Sequence, residues 1–199
     1  MGYSVNDRIR FGGFAFDLQV EAVGDRVIGE IISNGKVLKK LTLPLNGRDE
    51  REVVSEVFSR LKELLLSRVK EKAVKKAIYL REKLSELFDV EEEQIRGFLL
   101  YVPALKEPVR CMKGELTGRL EEWLSSLEEA FLKKFTSYRP EVLTMNYSLG
   151  GEEVLVIFVR DGKEGVRVVS ALSGVKLSLI RKKLNRETLQ GVVRSVLKS

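Results

Sequence analysis

Histidine is absent from this chain, and cysteine occurs once, at Cys111. The missing histidine removes the commonest general base and the commonest metal ligand of proteins. Without it, histidine-dependent triads are excluded, and so are zinc sites of the Cys/His type. A single cysteine also rules out an intramolecular disulfide framework. Any catalysis would therefore have to use carboxylates, lysine, tyrosine, serine or an oxygen-bound divalent metal.

Long apolar runs are also missing. The longest, at 98–102 and 154–159, are far shorter than the roughly 20 residues that cross a bilayer. The first residues lack the basic and then apolar pattern of a signal peptide, so we expect a cytoplasmic protein without a membrane span. Charged residues make up 32% of the chain while Asn, Gln, Cys and Met are scarce, a composition typical of thermophile proteins.

With 199 residues, 44% of them hydrophobic, the chain can bury one good core or two small ones. The first third alternates apolar and polar residues, as half-buried strands do. Asn34-Gly35 is a strong hairpin signal, because both residues tolerate the positive φ of a type I′ turn. These patterns predict a three-stranded meander over 14–23, 26–33 and 36–43, preceded by a flexible lead-in.

A long helix is predicted over 49–88. Asp49 and Glu52 have the spacing of a capping box, and no Gly or Pro interrupts the stretch that follows. One helix of this length measures roughly 55 Å at 1.5 Å per residue. Its apolar residues recur three or four apart and form one stripe: Val54, Phe58, Leu61, Leu65, Val69, Ala73, Ala77, Leu80, Leu84 and Leu87.

The rest of the middle segment is also expected to be helical. Asp89 and Glu92 have the spacing of a second capping box, which predicts a helix over 90–101. Two prolines and a glycine then indicate a loop. The apolar periodicity that follows predicts a helix over 115–136.

The last third repeats the pattern of the first. Strands are predicted over 141–149, 153–160 and 165–172, and a helical region over 177–197. Segments 51–58 and 190–197 are similar, which suggests an imperfect internal repeat. The expected fold is α+β, with two three-stranded antiparallel β-meanders, each followed by a helix, flanking a helical middle. The predicted boundaries are 1–48, 49–138 and 139–199, with one compact unit as the alternative.

Positive charge is concentrated in two helical segments. Residues 68–83 hold seven basic side chains against two acidic ones, and residues 176–199 hold seven against one, whereas the net charge of the whole chain is +6. Like charges four residues apart on a helix repel. The segregation therefore points to a polyanionic partner, or to pairing with the chain's own acidic segments, internally or between subunits.

The first basic segment has a defined face on a helical wheel. A tyrosine among the cations suits nucleic acid, because cations follow the phosphates while the ring stacks on a base. The cluster at 181–183 is a weaker indication, since consecutive helical positions point in different directions. The predicted nucleic-acid- or anion-binding residues are Arg68, Lys72, Lys75, Lys76, Tyr79, Lys83, Arg181, Lys182 and Lys183.

Three functions follow from these patterns. The first is a non-enzymatic assembly or adaptor protein that forms a homo-oligomer or docks a partner protein through the long amphipathic helix, whose stripe exceeds what one meander covers. The second is a nucleic-acid-binding protein that uses the basic helical faces. The third and most remote is a carboxylate and divalent-metal enzyme, for which the chain offers little beyond a supply of acidic residues. Asp161-Gly162-Lys163 is a weak motif with the acid-x-Lys spacing of some metal-dependent nucleases, and a hairpin turn accounts for it. No catalytic residue, metal ligand or cofactor is predicted.

Overall fold

The computed structural model describes residues 2–134, 141–149, 151–163, 165–175 and 177–199. The fold is mixed α+β, with two antiparallel sheets and a long helix. The chain forms two compact units, Met1–Glu71 and Lys72–Ser199. The division falls inside the long helix, whereas the sequence placed its boundaries at 48 and 138.

The first unit contains a four-stranded antiparallel sheet in the order of the chain. Strands β2 to β4 match the predicted meander, and Asn34 and Gly35 both have positive φ in the hairpin turn. The predicted lead-in is wrong, because it is strand β1 and pairs along its whole length with β2. Its alternating residues Val5, Ile9 and Phe11 turn inward. The strands are β1 Ser4–Phe11, β2 Phe14–Val23, β3 Arg26–Ser33 and β4 Lys36–Pro44.

Helix α1, Glu50–Phe88, confirms the predicted long helix. The Asp49 carboxylate accepts hydrogen bonds from the backbone N–H groups of Arg51 and Glu52, as an N-cap residue does. In the first unit the helix packs against the sheet at Gly29. A Cβ atom there would lie 2.6 Å from side-chain atoms of Val57 and Leu61. Glycine is therefore what lets the helix lie so close to β3.

The second unit contains a five-stranded antiparallel sheet in the order β6-β5-β9-β8-β7. Strands β7, β8 and β9 pair consecutively, and β5 and β6 extend this sheet beyond β9. The arrangement as two three-stranded meanders is therefore wrong, because the sheets have four and five strands. The strands are β5 Ile95–Tyr101, β6 Val109–Arg110, β7 Val142–Leu149, β8 Glu152–Arg160 and β9 Arg167–Ser173.

The helix predicted over 90–101 is wrong. Asp89, at φ 55°, ends α1 instead of starting a helix. The Asp89 N–H donates to the Glu86 carbonyl and the Val90 N–H donates to the Ser85 carbonyl, which is the pattern of a Schellman C-cap. A 3-10 helix of three residues follows, and the chain then enters β5. Because β5 is buried on both faces, it shows no alternation that would distinguish it from a buried helix.

Helices cover the second sheet as well. Helix α2, Glu115–Lys134, agrees with the predicted helix 115–136, of which 135–136 lie outside the described residues. Its Leu120 and Leu124 pack on Leu99, Val156 and Val169. The predicted C-terminal helix is divided into α3, Leu177–Ile180, and α4, Arg186–Lys198. The division follows from Asn185, whose side chain caps α4 by accepting the Glu187 N–H.

Candidate functional site

The apolar stripe of α1 is used inside the chain. Leu65 and Val69 are buried, and so are Ala73, Leu80 and Leu84 farther along, none of them more than 3% exposed. These stripe residues are therefore covered within the chain and are not exposed to a partner. Any partner of α1 must contact its solvent-facing side.

The solvent-facing side of α1 carries large apolar groups in the second unit. Val74, Ile78 and Tyr79 are 38%, 44% and 43% exposed. Lys75 and Glu82 are exposed on the same side of the helix, since positions three, four and seven apart share a face. We call Lys75, Ile78, Tyr79 and Glu82 the outer face.

The predicted basic face of α1 is divided between exposed and half-buried positions. Arg68, in the first unit, and Lys72 and Lys75, in the second, have exposed side chains. Lys83 is half-buried and donates a 2.7 Å hydrogen bond to Glu86, which raises the pKa of Lys83. Its Nζ also lies 5.5 Å from the centre of the Tyr79 ring, within the range of a cation–π contact.

Lys76 has an internal partner. Its Nζ donates a 2.9 Å hydrogen bond to the Val196 carbonyl in the last turn of α4. The final carbonyls of a helix have no partner within the helix and attract cations. Lys76 therefore helps to cap α4. This role explains one cation of the predicted basic face without an external anion.

The second basic cluster lies in a turn and not on a helix. Arg181 and Lys182 are exposed in the turn after α3, and Lys183 is half-buried there. The Lys183 N–H donates to the Ile180 carbonyl. These cations belong to a turn between two helices, so the helical wheel applied to them in the sequence does not describe their directions.

The weak metal-enzyme motif is accounted for by the fold. Asp161 is 4% exposed and accepts hydrogen bonds from Arg194 Nε, at 3.2 Å, and from the Lys163 N–H. A buried carboxylate paired with arginine ties the turn after β8 to α4. Across the described ranges, no group of three or more carboxylate or cysteine side chains is arranged to hold a metal ion.

A cleft beside α2 is the feature that sequence reasoning missed. Trp123 is half-buried and lines a cavity together with Arg119, Ser126 and Tyr147. The spacing of Arg119, Trp123 and Ser126, four and three residues apart, places them on one side of α2. This spacing is visible in the sequence. The sequence does not show, however, that Tyr147 of β7 lines the same cavity as these α2 residues.

Comparisons with protein-family models, with curated proteins and with solved structures found no match for this chain. In the part of the chain that the structure describes, no helix combines the length and the apolar character that crossing a membrane requires.

Proposed function

We propose that this chain is a non-enzymatic assembly protein that self-associates through the outer face of α1. The observation that carries the proposal is the exposure of Ile78 and Tyr79, 44% and 43%, in the middle of a well-formed helix. Neighbouring large apolar side chains that face solvent are typical of protein contact surfaces.

The outer face is complementary to itself. In two antiparallel copies of α1, related by a twofold axis between Ile78 and Tyr79, residues equally far from the axis face each other. Lys75 then faces Glu82 of the partner subunit, and Ile78 faces Tyr79 of the partner subunit. A twofold contact repeats each pair. The result is an apolar centre with an ion pair on either side.

This arrangement favours protein over nucleic acid as the partner of α1. Glu82 lies within the exposed face and would repel phosphates. Lys76 and Lys83 already bond to Val196 and Glu86. The row of cations on α1 that a phosphate backbone could follow is therefore interrupted.

The experiment is light scattering over a dilution series, with Ile78→Ser as the test variant. We expect the wild-type mass to change from dimer to monomer on dilution, and Ile78→Ser to be monomeric at concentrations where the wild type is dimeric. Val37→Ser is the matched control, because Val37 is 52% exposed on edge strand β4 of the first unit. A monomeric wild type at every concentration would sink the proposal.

Nucleic-acid binding is the second candidate. It is supported by exposed Lys72, Lys75, Arg181 and Lys182 and by the net charge of +6. Fluorescence anisotropy with labelled DNA and RNA tests it, because phosphate contacts weaken linearly in the logarithm of the salt concentration. Binding that Lys72→Glu and Lys182→Glu abolish, and that Lys36→Glu at the exposed start of β4 leaves intact, would favour this candidate. Failure to bind either polymer at low salt would exclude it.

A further inference from the structure

The structure contains a cleft between α2 and strands β7 and β8. One part is a cavity of about 360 Å³. Its lining is mostly apolar and includes Trp123 and Tyr147, with Tyr147 42% exposed, while Arg119, Glu122 and Ser126 are its polar members. The aliphatic lining residues are Leu116, Leu120, Val154, Val156 and Ala171. This volume and lining are those of a small-molecule pocket rather than of a packing defect.

The cleft has a second, charged part. A cavity of about 520 Å³ shares the lining residues Leu116 and Arg119 with the apolar one, so the two are adjacent. Both signs of charge are present: Arg96 and Lys113 against Glu93 and Glu152. Arg119 and Glu115, also in the lining, form an ion pair with each other at 2.5 Å.

We propose that this cleft binds an aromatic amino-acid zwitterion. The apolar part receives the ring, which Trp123 and Tyr147 can contact in offset or edge-to-face geometry. The charged part then holds the ammonium group near the carboxylates and the carboxylate near the cations.

The balance of charge selects this ligand class. A ligand with only a negative group would place it beside Glu93 and Glu152 as well as beside the cations, and a ligand with only a positive group would meet the reverse. A purely apolar ligand would leave the charged part unused. An aromatic amino acid carries an ammonium and a carboxylate group on one carbon and an aromatic ring beside it. The two charged groups match the charged part of the cleft, and the ring matches the apolar part. The outer face of α1 contributes no residue to it, so the proposal does not depend on self-association.

Equilibrium dialysis with labelled L-phenylalanine is the direct test. We expect saturable binding that phenylacetate and phenethylamine, which each retain one of the two charges, compete for at least tenfold more weakly than unlabelled L-phenylalanine. Trp123 is the only tryptophan of the chain, so its fluorescence should change with the same midpoint. No saturable binding would overturn the proposal, and so would equal competition by phenylacetate.

Two further variants locate the site. Ser126 is exposed at the edge of the apolar cavity, so Ser126→Phe should block entry and reduce affinity at least tenfold without disturbing the core. Ser125→Phe is the matched control, because Ser125 is exposed on the same helix but does not line the cavity. Glu152→Gln should weaken L-phenylalanine more than phenylacetate. Binding that survives both Ser126→Phe and Glu152→Gln unchanged would place the ligand elsewhere and overturn the proposal.

Discussion

At the scale of single residues, Asp7 shows how one carboxylate joins a strand to a helix. Asp7 pairs across the sheet with Leu18, so it lies on the face that α1 covers. Lys62 of α1 donates a 2.8 Å hydrogen bond to it. That hydrogen bond holds the pKa of Asp7 below its ordinary value. A carboxyl with a lowered folded-state pKa adds stability above its unfolded pKa, and this stability is lost as the pH falls through the folded pKa.

Asp7→Asn should therefore destabilise the protein at neutral pH and not in strong acid. Because both side chains are about a third exposed or more, the expected loss is only about 0.5 kcal/mol. It should be present above about pH 5 and vanish well below the unfolded pKa of about 3.9. Urea unfolding at a series of pH values measures the difference. Asp25→Asn, at a highly exposed turn residue, is the control, and a loss that persists in strong acid would contradict the assignment.

Cys111 gives a second prediction at this scale. Partial burial raises the pKa of its thiol, and the nearby Arg81 guanidinium opposes the rise without cancelling it. Since the thiolate is the reactive form, Cys111 should react slowly with iodoacetamide near pH 8. The rate should rise to a plateau only above the ordinary thiol pKa of about 8.5. In urea, which unfolds the chain and exposes Cys111, the thiol should react at the rate of an ordinary cysteine. A plateau reached below pH 8 would show that the arginine dominates.

At the scale of elements, glycines set how closely the helices approach the sheets. Gly29 lies under α1, as described above, and Gly97 lies under α2, where a Cβ atom would come within 2.7 Å of Leu120 Cδ1. Gly118 of α2 is different, because a Cβ atom there meets nothing within 4 Å. A side chain added at Gly29 or Gly97 would therefore collide with the covering helix, whereas one added at Gly118 would point into open space.

Gly29→Ala should destabilise the protein by roughly 1–3 kcal/mol, because the methyl group overpacks against a stiff Val57 and a buried Leu61. Gly118→Ala should stabilise it by roughly 0.5–1 kcal/mol, since alanine loses less backbone entropy in a helix. Urea denaturation measures both. The account of α1 packing is wrong if Gly29→Ala is neutral or stabilising.

Elements that bury only one side were easier to predict from the sequence than elements that are buried on both sides. Helix α1 and strands β2 and β3 each bury one side, so their period appears in the sequence. Strand β4 has no buried residue, and the Asn34-Gly35 turn signal located it instead. Strand β5 is buried on both faces, and the run 98–102 could not reveal its type. Strand β1 does alternate, but its outward Arg8 and Arg10 and the glycines after it resembled a loop. The division between α3 and α4 depended on the Asn185 cap, a local signal that the longer apolar pattern concealed.

At the scale of the whole molecule, the helical wheel described the residues of α1 but not the turn residues 181–183, and it could not assign interaction partners. Exposure of Lys72, Lys75 and Tyr79 followed from their angle relative to the buried stripe. The engagement of Lys76 with Val196, 120 positions away in the chain, depends on the fold that brings α4 to α1. The proposed self-association uses what remains exposed after these internal contacts are formed, and the internal repeat and cytoplasmic location remain predictions.

The charge exchange between Lys75 and Glu82 tests self-association most directly, with dimer dissociation constants measured by sedimentation. Each single reversal, Lys75→Glu or Glu82→Lys, creates like-charge contacts at both symmetric positions and should weaken the dimer about tenfold, a loss of about 1.4 kcal/mol. The double variant Lys75→Glu/Glu82→Lys restores both ion pairs and should recover wild-type affinity. Affinities that are unchanged by the single reversals, or losses that add up in the double variant, would contradict the antiparallel α1 contact.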